Sequence, residues 1–214
     1  MTQPPSARAT VRRDDRAVYD RAAIHDILDE AYYAHVGFVS NGSPVVIPML
    51  HARIDDTLYL HGGPASRIMR TLKDGPEICV TVTILDGMVL ARSAFHHSAN
   101  YRSVIAFGRP TVIRDLEERR AVLDAYTDKL VPERRPHLRE MTDTEVRGTV
   151  VLSISLEEAS AKVRTGGPID DAEDMELDIW AGVIPLSLTA GEPIDDALMR
   201  PGVTRPAHVE RIGR

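Results

Sequence analysis

The sequence predicts a mainly β protein with peripheral α structure, an antiparallel barrel with helices at its ends. Three observations point there. Six or seven short runs rich in valine, isoleucine and threonine recur along the chain, most of them joined by turn signals. Only one short helical segment separates the third run from the fourth, which argues against a doubly wound sheet. Val45–Leu50 is apolar on both faces, as expected where one face fills a barrel and the other meets a partner or ligand. The chain has 214 residues, 43% hydrophobic and 27% charged, and is long enough to bury a sizeable core.

Residues 1–18 are polar and rich in proline and arginine, and are expected as a mobile arm. A single domain is expected over 19–190, followed by a surface tail over 191–214. Asp20 precedes an amphipathic helix with Ile24, Ile27, Leu28 and Ala31 at helical spacing. Ala34–Ser40 and Pro44–Arg53 read as strands on either side of the hairpin signal Asn41-Gly42. Asp55-Asp56 turns the chain into a strand over Thr57–His61. Gly62-Gly63-Pro64 breaks it, and Ala65–Lys73 reads as a helix that Asp74-Gly75-Pro76 ends. Glu77–Leu85, Met88–Ala94 and Tyr101–Arg114 read as three more strands. Leu116–Leu130 is a charged amphipathic helix, and T-D-T-E at Thr142 opens a further turn to Arg147 as a capping box. Thr149–Leu156 is a seventh strand. Residues 165–178 are acidic and loop-like, and Ile179–Leu188 is a last apolar stretch holding the single tryptophan.

Composition narrows the function. No apolar run approaches the roughly 20 residues of a membrane helix, and the first residues lack a secretory apolar region, so a cytoplasmic location is expected. Cys79 is the single cysteine, which removes internal disulfides and thiolate zinc sites. A net charge of −6 gives no field for wrapping nucleic acid. Eight histidines show no paired-ligand spacing, no metal is expected, and no G-x-S-x-G elbow supports serine hydrolysis.

Four constellations remain. His61-Gly62-Gly63-Pro64-Ala65-Ser66-Arg67 lies at a strand-to-helix junction, where unpaired backbone N–H groups, a hydroxyl and a guanidinium suit an anion. An ordinary helix start with a solvated Arg67 explains the same residues. The polar run Phe95–Ser103, with Ser98, Asn100, Tyr101, Arg102 and Ser103, offers many donors to a polar ligand; exposed loop residues are the simpler account. His51 lies in phase with Val45, Ile47 and Met49, a pattern that more often marks a hydrogen-bonded core histidine than a catalytic one. Lys162-Val163-Arg164 and Trp180 offer contact to a planar anionic ligand, or are a basic strand end and a buried aromatic.

Three stretches in order carry a resemblance: GSPVVIPMLHARIDDTLYLHGGPASRIMRTL, CVTVTILDGMVLARSAFHHSANYRSVIAFGRP and AKVRTGGPIDDAEDMELDIWAGVIPLSL. From about Tyr19 to about Asp196 the chain resembles the pyridoxamine 5′-phosphate oxidase-like FMN-binding split-barrel superfamily. The branch it is most similar to is that of flavin-nucleotide-binding proteins related to Nim-type nitroimidazole-resistance reductases. The resemblance implies an antiparallel, Greek-key-like split β-barrel holding FMN. It places the FMN phosphate after His61 and Gly62, where the family writes S-R-K or G-R-K. Ser66 and Arg67 match the first two positions. Ile68 stands at the usual lysine, with Arg70 or the Arg102 strand as a replacement. Val46, Ile47, Pro48 and Met49 look like the strand whose backbone faces the isoalloxazine. His51 looks like the histidine kept near the flavin in Nim-type relatives, a candidate proton donor or positioning residue. Arg102-Ser103 falls where the oxidase branch has an R-Q pair, and Trp180 resembles a tryptophan near the cofactor.

The W-x-x-x-R-L-x-P ending of the oxidase itself is absent; Trp180-Ala181-Gly182-Val183-Ile184-Pro185 stands there instead, which disfavours vitamin B6 oxidation. The resemblance therefore implies an FMN-dependent oxidoreductase of nitro- or quinone-reducing type, acting on a small-molecule substrate or electron donor. It implies a homodimer with FMN between the subunits. A non-catalytic FMN carrier or sensor, or a protein holding deazaflavin or haem in the same groove, are the alternatives.

Overall fold

The computed structural model describes residues 3–210, so residues 1–2 of the expected arm and 211–214 of the expected tail lie outside the description. Two antiparallel sheets face each other across one core. In the larger, β1 (Ala17–Val18), β10 (Glu158–Arg164), β7 (Ser98–Gly108), β6 (Ile78–Leu90), β2 (Tyr33–Ser40) and β3 (Ser43–Leu50) lie side by side in that order. β11 (Gly182–Pro185) pairs the far half of β6. The smaller sheet runs β4 (Ala52–Ile54), β5 (Thr57–Gly62), β9 (Val150–Ser155), β8 (Thr111–Val112). The chain crosses between sheets at His51, between Gly62 and Ile78, at Arg109-Pro110 and after Ser155, and no strand pairing joins the two sheets among the described residues.

Side chains alternate as the pleat requires. On β2 and β6, Ala34, Val36, Val80 and Val82 point inward to meet Leu58 and Leu60 of β5 and Leu152 of β9. Helix α1 (Arg21–Glu30) closes one end with Ile24, Ile27 and Leu28, started by the Asp20 carboxylate, which accepts from the Ala23 N–H at 3.0 Å. Helix α2 (Arg67–Leu72) buries Ile68, Met69 and Leu72. Helix α3 (Leu116–Leu130) packs Val122 and Tyr126 against the smaller sheet. Helix α4 (Asp143–Arg147) carries the expected capping box between Thr142 and Glu145.

Several expected strands take a different form. Pro44–Arg53 is two strands, because the chain turns into the other sheet at His51. Glu77–Leu85 and Met88–Ala94 are one 13-residue strand, β6. Asp86-Gly87, between the two expected strands, is a bulge between Leu85 and Gly87 on β6, and pairing with β7 continues beyond it. Tyr101–Arg114 divides into β7 and β8 at Arg109-Pro110, where proline cannot donate to the ladder. β10 begins Glu-Ala-Ser-Ala, residues of weak strand preference, and its position between β1 and β7 fixes it.

Parts of both expected flanking segments pack on the domain. Arg8 pairs with both Glu77 and Glu158, and its guanidinium lies 5.0 Å from the Phe107 ring centre. Ala9 is buried, the Val11 N–H donates to the Tyr19 hydroxyl at 3.0 Å, and β1 adds to the sheet edge. In the tail, α5 (Ala207–Glu210) buries His208, which stacks on His137 at 4.6 Å.

Candidate functional site

β3 is an edge strand. Register places Pro44 opposite Val39, Val46 opposite Gly37 and Pro48 opposite His35, while Val45, Ile47 and Met49 pack against the core. A proline has no N–H to give a neighbouring strand, so Pro44 and Pro48 sit where the backbone faces away from β2. Alternation then turns the Val46 N–H and C=O to the same free side. Val46 itself is 64% exposed. The strand therefore presents an open backbone edge that its prolines protect from pairing with another chain.

Next to it, β5 runs out at His61 and Gly62. The His61 ring stands edge-on to Tyr126 at 4.2 Å, half-buried, and burial holds its pKa down. Gly62 packs tightly on α2, since a Cβ there would lie 3.1 Å from Met69 Cγ. Gly63 faces open space. Ser66 caps α2, its hydroxyl accepting from the Met69 N–H at 3.3 Å. The N–H groups of Arg67 and Ile68 open the helix and have no intrahelical acceptor. Arg67 and Arg70 are exposed and form no ion pair among the described residues. The turn thus offers backbone donors and two uncompensated guanidinium groups at the end of β5, a strand in contact with β3.

Other expected site residues go elsewhere. His51 is 1% exposed, and its ring, expected as a proton donor beside the flavin, is turned to core partners instead. Its Nε2 lies 2.9 Å from both the Leu28 carbonyl and Lys129 Nζ. One nitrogen cannot donate to the first and accept from the second at once. Burial and the neighbouring ammonium keep the ring neutral, its pKa pushed down to about 4; burial brings Lys129 down to about 8. His51 is a hydrogen-bonded core histidine linking α1, α3 and the crossing from β3 to β4.

Arg102 is also taken. It grips Asp86 at 3.0 and 2.8 Å and pairs with Glu30, and these hydrogen bonds raise its own pKa and lower that of Glu30. It ties the β6 bulge to the end of α1, so it is not free to replace the family lysine. Asn100 donates to the Gly166 carbonyl at 3.0 Å and accepts from Arg164, holding the 164–167 loop.

Tyr101 and Ser103 face outward on β7, away from the core. The Tyr101 ring lies 5.7 Å from Lys162 Nζ, and Ser103 lines a cavity of about 290 Å³ under the N-terminal segment. Ser98 pairs with Val89 at the start of β7. Trp180 is 67% exposed, its ring lying against Gly182, where a Cβ would be 2.8 Å from Cζ2. His96, Asp171 and Asp174 bring three donor atoms within 4.8 Å of one another, a grouping the sequence reading missed because 75 residues separate the histidine from the first carboxylate. Lys129 was missed as well: its place on a charged helix gives no sign that its ammonium is folded inward.

The profile of the family described as pyridoxamine 5′-phosphate oxidase matches residues 20–163. The chain belongs to this family. Among solved structures of family-like fold, the flavocytochrome Anf3 from Azotobacter vinelandii is 39% identical, with 98% of each chain covered and a TM-score of 0.92. The FAD and heme binding protein from Mycobacterium smegmatis is 36% identical over 92% of this chain and 97% of that one, with a TM-score of 0.88. A 5-nitroimidazole antibiotic resistance protein from Bacteroides thetaiotaomicron is 27% identical over 69% and 86% of the two chains, with a TM-score of 0.59. A comparison with curated proteins gives no match. The family profile spans β2 through most of β10, and so includes the open edge of β3 and the turn at Ser66-Arg67.

Proposed function

We propose that this protein binds a flavin along the free edge of β3, with the flavin phosphate at Ser66-Arg67, and acts as an oxidoreductase on a small molecule. One observation carries the reading. Arg67 and Arg70 stand uncompensated beside an open glycine turn, at the place where the family resemblance expects a phosphate. The residues fit that group: the helix-opening N–H groups and two guanidinium groups are donors to a phosphate, and Gly63 leaves room for it to approach. The Val46 backbone offers a donor and an acceptor to the polar rim of a ring.

When bound, a flavin supplies hydride or single-electron transfer, and the protein supplies orientation and shielding from water. Arg67 would anchor the phosphate, and the β3 edge would set the ring plane. His61, kept neutral by burial, is the titratable side chain next to the turn. FMN and FAD both carry a phosphate on the ribityl chain, so this cradle serves either. FMN follows the family pattern. FAD with haem is the second reading, favoured by a relative described as an FAD and heme binding protein and another described as a flavocytochrome, which match almost the whole chain, including residues beyond 163.

We also propose a homodimer. Tyr33, Val39, Val46 and Leu85 make an exposed apolar face on β2, β3 and β6, and two-fold pairing would bury it against the flavin groove. The absorption spectrum of the purified protein tests the ligand. Flavin bands with acid-released FMN support the first reading, and FAD with a Soret band supports the second. A colourless protein that takes up neither FMN nor FAD would overturn both. Turnover of nitroaromatic or quinone acceptors with reduced nicotinamides then separates an enzyme from a carrier.

A further inference from the structure

The outward face of the larger sheet holds a second concavity, away from the β3 edge and covered by the N-terminal segment. Its volume is about 290 Å³, close to the lower end of small-molecule pockets at about 300 Å³. Register sets its floor: Ser160 of β10 lies opposite Ile105 of β7, and Lys162 lies opposite Ser103. Arg12 and Val11 close it from the N-terminal segment.

Ser160 is 1% exposed, yet its hydroxyl has no hydrogen-bond partner. A buried hydroxyl left unpaired is unfavourable, and natural structures seldom keep one without a use. The charges around it are also unbalanced. Arg12 and Lys162 form no ion pair among the described residues, and the partner of the Lys162 ammonium is the neutral Tyr101. Two cations and a free hydroxyl around one cavity, in a chain of net charge −6, ask for an anion. Val11 and Ile105 add an apolar wall.

We propose that this cavity is a second ligand site, separate from the flavin cradle, for a small molecule with one oxyanion on an apolar body. Arg12 and Lys162 would hold the oxyanion, the Ser160 hydroxyl would donate to it, and Val11 and Ile105 would cover the body. The site stands on the sheet and the N-terminal segment, so it does not depend on the identity of the flavin.

Phenyl phosphate titrated calorimetrically into the protein as purified, in phosphate-free buffer, tests it. The expected result is saturable binding that Lys162→Met weakens about tenfold, since one charge-assisted bond is lost. Ser160→Ala should weaken it several-fold while leaving the ligand-free melting temperature equal or higher, an effect that a structural hydroxyl would not produce. Arg67→Ala should leave the phenyl phosphate affinity unchanged. Inorganic phosphate should bind more weakly than the aryl ester. Absence of saturable binding overturns the proposal. So does a loss confined to Arg67→Ala, which would send the anion to the flavin cradle, or equal affinity in wild type, Ser160→Ala and Lys162→Met.

Discussion

At the scale of single residues, two basic side chains show how environment assigns work. Arg67 is exposed and uncompensated, so truncating it costs no native contact. Arg67→Ala is expected to weaken flavin binding by roughly 1.5–3 kcal/mol, about one to two decades in Kd. Riboflavin lacks the phosphate and should bind wild type and variant alike; competitive titration of both ligands checks this, and a shared loss would mean that Arg67 is structural. His51 is the opposite case. The unfolded chain takes up a proton at this histidine near pH 6.5, whereas the folded protein refuses it until about pH 4. Stability from this group is therefore intact above pH 6.5 and is lost as pH falls toward 4, by roughly 3 kcal/mol. His51→Gln should flatten that part of the stability–pH curve, measured by urea unfolding, and lower stability at neutral pH by about 1–3 kcal/mol. Turnover per folded molecule should stay unchanged; a selective loss of turnover would return His51 to the reaction.

Among the elements, the β6 bulge organises the C-terminal region. Gly87 lies so close to β11 that a Cβ would come within 2.9 Å of the Ile184 carbonyl oxygen. That neighbour is backbone and cannot swing aside. Gly87→Ala is expected to destabilise by about 1–3 kcal/mol and to speed amide exchange across residues 182–185, as read by mass spectrometry. Exchange unchanged there would show that β11 tolerates the shift. The same bulge carries Asp86 to Arg102, so a dipeptide between two expected strands becomes the point where β6, β7 and α1 are tied.

For the whole molecule, the exposed apolar face and the open edge of β3 point to the same surface. The expected species in solution has about twice the 23.6 kDa mass of one chain, and flavin should stabilise it by mass action. Val46→Lys would place a charge in the middle of that face and should shift light scattering toward the monomer while lowering flavin retention. A wild-type monomer retaining stoichiometric flavin would sink the paired arrangement. Trp180, largely exposed, gives a second readout, because its fluorescence should rise on flavin removal if the ring approaches the cofactor in the pair.

The sequence by itself determined the mainly β class, the Asn41-Gly42 hairpin, the caps at Asp20 and Thr142, and the cation beside the glycine turn. These depend on neighbours within a few residues, where turn chemistry and capping act. Kinship was legible for a related reason: the three resembling stretches keep their local motifs in order. What only the tertiary structure decided was the use of each polar residue. Arg102 and Arg67 are chemically alike, yet one meets Glu30 and Asp86 from distant segments while the other meets none. His51 and Lys129 are 78 residues apart and become neighbours only when α3 folds over the crossing strand. Ser160 opens into a cavity whose other wall comes from Val11 and Arg12 at the far end of the chain. Hydrogen bonds and charge pairs act over a few ångströms in space, and sequence spacing carries no measure of that distance across a sheet.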